Sequence, residues 1–298
     1  MVLRGPVAVL RRTWVRLAVG AAVIVTLFVI VTSLYDAEGQ VNQVGGASSS
    51  PGLVVAISPV AVQPGTGTAT VRVAIQHAEA AYVDDGGRLG QPTRLTVITD
   101  AGVVEERYPA GTVPGSLEVA AGLDGDLALY PFDDHAGRIV VVADAYETAS
   151  DGAIRSVSSI PVGLVSGGGV SGWRTTLTAP TTAEDEPVST LLFERAFSTR
   201  AFAILILGLS VMLAVLSLFV GLLVRLRRRV IEATMLSWFA ALLFALPALR
   251  NFMPGSPPIG VALDVYVFLW VMVCAVLGIA LAVLAWIDRD RDQARPTA

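Results

Sequence analysis

Residues 201–224 read AFAILILGLSVMLAVLSLFVGLLV, 24 consecutive positions without a charged side chain. As an α-helix this run is about 36 Å long, enough to cross the roughly 30 Å hydrocarbon layer of a bilayer. It stops at Arg225, Arg227, Arg228 and Arg229. Three more runs of this kind occur, at Leu17–Leu34, Ala233–Leu249 and Val265–Ile287. Overall, 54% of the chain is hydrophobic and 15% is charged, against about 25% charged in a typical soluble domain. The sequence therefore predicts a membrane protein of α+β class. Four transmembrane helices, one before and three after, frame an extracytoplasmic antiparallel β-sandwich.

The arginines set the expected orientation. Arg4, Arg11, Arg12 and Arg16 precede the first run, the 225–229 cluster follows the second, and Arg289 and Arg291 follow the fourth. Four spans put all of these on one side, which is the cytoplasmic side under the positive-inside rule. The expected layout is then a cytoplasmic N-terminus (1–16), a linker (35–52), the sandwich (53–198), a cytoplasmic loop (225–232), an outer hairpin (250–264) and a cytoplasmic tail (288–298). The first run exceeds the usual 7–15 residues of a signal-peptide core and lacks a clear small-x-small site after it, so it reads as an uncleaved signal-anchor.

Residues 36–198 carry 20 acidic and 8 basic side chains. Such a surface repels phosphates, which excludes nucleic acid as a partner. The expected partners are the lipid bilayer and an envelope component or membrane protein, with oligomers possible. All 21 basic residues are arginine, and Cys274 is the single cysteine, so no intramolecular disulfide forms.

Within the domain, Thr70-Val71-Arg72-Val73-Ala74-Ile75 alternates polar and apolar residues, as a half-buried strand does. Asp84-Asp85-Gly86-Gly87, Pro114-Gly115, Asp124-Gly125 and Asp151-Gly152 punctuate similar runs. Strands are expected near 53–62, 68–77, 93–99, 102–108, 116–120, 126–131, 138–147, 154–165, 171–178 and 188–196. Many short strands with turns between them suggest a sandwich.

The most distinctive patch is Tyr130-Pro131-Phe132-Asp133. Pro131 ends a strand by removing a donor, the aromatic pair plugs one end of the core, and Asp133 fixes the turn through the backbone. The alternative is a coupling loop that faces the membrane. Asp133, Asp134 and His135 also resemble an acid–base or metal cluster, but His77, the other histidine, lies on a different strand. Glu194, Arg195 and Arg200 stand where the domain meets the second span, as hydrated interfacial charges forming a local ion pair. Arg250 and Asp264 flank the hairpin Asn251-Phe252-Met253-Pro254-Gly255-Ser256-Pro257-Pro258-Ile259-Gly260 and can pair across it. Glu232 is expected to pair with Arg228 or Arg229. Gly278 and Ala282 form a small-xxx-small pair suited to close helix packing. No Gly-x-Ser-x-Gly or His-Glu-x-x-His motif occurs. These residues imply no cofactor and favour a non-enzymatic binding protein, with a sensor or channel-like subunit or an envelope enzyme as the alternatives.

Leu243-Phe244-Ala245-Leu246-Pro247-Ala248-Leu249-Arg250-Asn251, Pro254-Gly255, Pro257-Pro258-Ile259-Gly260, Asp264, Phe268 and Trp270 resemble the signature of an uncharacterised bacterial membrane family, domain of unknown function 4436. Tyr130-Pro131-Phe132-Asp133 and Phe193-Glu194-Arg195 resemble it too. The similarity extends over roughly residues 50–287. It implies an actinobacterial membrane protein and implies no activity.

Overall fold

The computed structural model describes residues 52–293, apart from 80, 85, 179–187 and 227–232, together with Val25, Thr26, Val29, Thr32 and Ser33. Those five are helical. The rest of the expected first span, nearly all of the linker, and Arg228, Arg229 and Glu232 lie outside the described residues.

Two sheets pack face to face. The smaller runs in the order β5 (Leu117–Gly122), β2 (Thr68–Ala78), β1 (Leu53–Gln63), β9 (Val162–Ser166). The larger runs β10 (Trp173–Thr178), β11 (Ser189–Arg195), β7 (Asp134–Thr148), β3 (Thr93–Thr99), β4 (Gly102–Tyr108). Two short partners, β6 (Asp124–Gly125) and β8 (Ile154–Ile160), also lie on β7. Alternate residues of each strand point inward. Val55, Ile57, Val71 and Val73 of one sheet thus meet Leu95, Val97, Ile139, Leu191 and Phe193 of the other. Each such side chain contributes about 1.5–3 kcal/mol by leaving water.

Three expectations need correction. Residues 126–131 do not form a strand: Leu127–Leu129 make a 3₁₀ turn, capped by Asp126, whose carboxylate accepts from the Ala128 N–H. Residues 154–165 are two strands in different sheets. Pro161 has no N–H to continue a ladder, and the chain crosses there from β8 to β9, while the Pro161 carbonyl accepts from Leu53 N at 2.9 Å. Nor is the sandwich purely antiparallel, because β9 runs parallel to β1.

Three helices follow: α1 (Phe197–Arg225), α2 (Ala233–Asn251) and α3 (Leu269–Gln293), the last preceded by a π-helical turn at Asp264–Phe268. All three are long and apolar enough to cross a membrane. Only Ala196 separates β11 from α1, so the sheet runs into the helix without a linker. The helices α1 and α3 pack closely. A Cβ on Gly221 would sit 2.2 Å from the Gly278 carbonyl oxygen, and one on Gly278 would sit 2.6 Å from the Ser217 backbone. Glycine at both positions is therefore what permits the approach. Ser217 Oγ donates to the Ala275 carbonyl at 3.2 Å, and Ser210 Oγ donates to Ile206 one turn back. Both hydroxyls are buried within this one chain. At the far end Arg225 pairs with Asp288 across α1 and α3 at 3.2 Å.

Candidate coupling site at the domain–helix junction

Strand parity builds the site. In β11, Leu191 and Phe193 face the core, so Arg195, two residues on, faces the same way. Across the ladders Trp173 of β10 lies opposite Arg195, and His135 of β7 lies opposite Phe193. Asp133, two residues before His135, takes the inward side as well. Three neighbouring strands thus gather Trp173, Arg195, His135 and Asp133 at one end of the core.

Arg195 Nε donates to Asp133 Oδ1 at 3.0 Å, and its Nη2 donates to Oδ2 at 3.0 Å. Such a forked pair is the strongest geometry for these two groups. His135 Nε2 lies 2.9 Å from Oδ2 and, against a carboxylate, is the N–H donor. The guanidinium also stacks between two rings, 4.1 Å from the Trp173 centroid and 5.0 Å from that of Tyr130. Asp133 is 0% exposed and Arg195 4%. Burial opposes the charge on Asp133, but the bonds from His135 and Arg195 outweigh it and hold the carboxyl below the usual carboxylate range. Burial pushes the Tyr130 phenol up to about 12.

The other half of the site is the loop between α2 and α3. Arg250 Nε and Nη2 donate to the two oxygens of Asp264 at 2.9 and 2.7 Å. The same guanidinium donates to the Pro257 and Pro258 carbonyls, each at 2.9 Å. Asp264 also accepts from Gly260 N. This clasp shapes the loop so that Pro254 and Gly255 face the sandwich. Tyr130 Oη donates to the Pro254 carbonyl at 2.9 Å. Gly255 has φ +71° and lies against Arg195, where a Cβ would be 2.5 Å from Nη1; only glycine meets both demands. Tyr130 forms one buried apolar cluster with Ala203 and Ile206 of α1 and Met253, Val261 and Leu263 of the loop.

Several sequence readings change. Arg195 is not a hydrated interfacial charge: it is buried and pairs with Asp133, 62 positions away. Asp133 chiefly binds that side chain rather than fixing its own turn. The aromatic pair does not act together, since Tyr130 enters the junction with the helices while Phe132 is 60% exposed. His135 is buried. Glu194 takes the opposite strand face, in register with Arg174 and Asp134, and Pro131 is buried beside Tyr130. Asn251 ends α2 with an exposed side chain. Reasoning from sequence missed Trp173, His135 as a junction residue, and the Gly221 and Ser217 packing surface. The available signal was the period-two spacing of Asp133 from His135 and of Phe193 from Arg195.

Two family models match the chain. One, described as Domain of unknown function (DUF4436), covers residues 43–192, and another, Domain of unknown function (DUF8686), covers residues 195–289. No curated protein matches. The helix and loop residues quoted above for the first resemblance fall in the second model. The junction spans the boundary, with Tyr130, Asp133 and His135 on one side and Arg195, Pro254 and Gly255 on the other. With its sandwich and half of its length matched by the first model, the chain belongs to the DUF4436 family.

Proposed function

We propose that this is an integral membrane protein whose sandwich binds an envelope component or a partner membrane protein and does no chemistry of its own. Both termini are cytoplasmic, and the sandwich and the α2–α3 loop lie on the opposite side. One observation carries the non-catalytic reading. The best acid–base candidates, Asp133 and His135, are consumed by Arg195, Trp173 and each other in a place sealed from water. Buried charges satisfied this way hold a geometry and offer no free group to a substrate. The junction makes sandwich and helices one body, so a partner held by the acidic domain is fixed relative to the bilayer.

A second reading, a sensor, draws support from the Tyr130–Pro254 bond, which joins the sheet to the loop between two spans. In that case binding at the sandwich shifts α2 against α3. Ser210 and Ser217, the main polar groups on α1, are spent on contacts within the chain, which weighs against a pore lined by that helix.

Cross-linking in native membranes followed by mass spectrometry tests the proposal. The expected result is a reproducible partner linked to the sandwich in intact cells. Hydrolytic or transfer activity of the purified chain that is lost on changing Asp133 or His135 would overturn the binding reading.

A further inference from the structure

We infer that the tip at residues 129–132 of the sandwich enters the lipid leaflet at the boundary between headgroups and acyl chains. The inference rests on the membrane placement proposed above and adds to it a second lipid contact, made by the β-domain itself.

The depth follows from α1. This helix has 29 residues, about 44 Å at 1.5 Å per residue, against a hydrocarbon layer of about 30 Å and about 40–45 Å with headgroups. Its uncharged run begins at Ala201, so its first turn lies at headgroup level. Tyr130 shares one buried apolar cluster with Ala203 and Ile206 of this helix, beyond that first turn. Ile206 is nine positions beyond Phe197, about 13 Å down the helix. The sandwich therefore descends alongside α1 to the level where acyl chains begin. There Tyr130 and Pro131 turn inward, and Phe132 and Leu129 turn outward, 60% and 54% exposed.

Large apolar side chains held outward at that depth need an apolar partner, and the surroundings supply one. Phe202 and Leu205 flank Ala203 and Ile206 along α1 and are exposed, and Phe252 and Ile259 of the loop are 74% and 91% exposed. The tip, α1 and the loop, joined through the buried cluster around Tyr130, thus each carry exposed large apolar side chains. Aromatic side chains favour this level of a bilayer. The neighbouring Asp133 poses no obstacle, since Arg195 neutralises it out of contact with the surface.

The test uses the full chain in nanodiscs, with Cys274→Ala and single cysteines carrying a small fluorophore. Phe132→Cys is compared with Val103→Cys, on exposed β4 in the sandwich, and with Leu216→Cys, on the exposed face of α1. Lipids bearing a shallow nitroxide should quench the label at 132 severalfold more than the label at 103. Lipids bearing a deep nitroxide should quench the label at 216. Quenching at 216 with none above the 103 level at 132 overturns this inference and leaves the membrane reading intact. No quenching at either position overturns both. Leu129→Cys supplies an independent readout of the same loop if Phe132→Cys fails to fold.

Discussion

Replacing Asp133 with asparagine keeps the shape of the side chain and removes its charge. Arg195, 4% exposed, then holds a positive charge with no carboxylate near it, between the Trp173 and Tyr130 rings. Breaking a buried pair by removing one partner costs about 3–5 kcal/mol, because the remaining ion has lost its water and gains nothing in return. For a sandwich of this size that corresponds to a fall in melting temperature of about 6–20 °C. The comparison variant is Asp100→Asn, which breaks the exposed pair with Arg138 at 2.9 Å and should cost under about 1 kcal/mol. A double change, Asp133→Leu with Arg195→Met, should recover part of the loss, since an apolar pair of similar size needs no hydration, the remainder being the buried His135 N–H left without its acceptor. Trp173 lies on the guanidinium, so in a background with Trp14, Trp238, Trp270 and Trp286 changed to phenylalanine its fluorescence reports the junction during heating. Should Asp133→Asn melt like Asp100→Asn, or should the double variant be worse than the single one, the buried pair is not what holds the junction.

Titration gives two further outcomes. The folded-state pKa of Asp133 is lowered, so its stabilising contribution is in full force above the unfolded value of about 3.9 and is lost as pH falls through the folded value. Acid unfolding followed at Trp173 should therefore begin below pH 4 and shift upward in Arg195→Met. The pKa of Tyr130 is raised to about 12, so stability is present below pH 10 and lost on the way to about 12; Tyr130→Phe should remove that alkaline dependence. The same variant should lose about 1 kcal/mol at neutral pH by leaving the Pro254 carbonyl without its donor, readable by thermal melting. Gly278→Val should force α1 and α3 apart at Ser217 and cost about 1–3 kcal/mol, measured as loss of helix signal on heating in detergent.

What the sequence determined by itself was whatever depends on neighbours along the chain. Uncharged runs the length of a bilayer mark α1, α2 and α3, because span length is a local property set by an external thickness. Alternation marks most strands, because the pleat has period two wherever the partner lies. Tertiary structure decided what depends on distance in space. Nothing adjacent to Asp133 announces Arg195, and nothing near Pro161 shows that the chain changes sheets there. Whether Phe132 faces in or out turned on where α1 and the 252–263 loop pack. A charge reads as solvated until a partner is brought to it, and the fold brings this one from 62 positions away because β10, β11 and β7 are neighbours in the sheet.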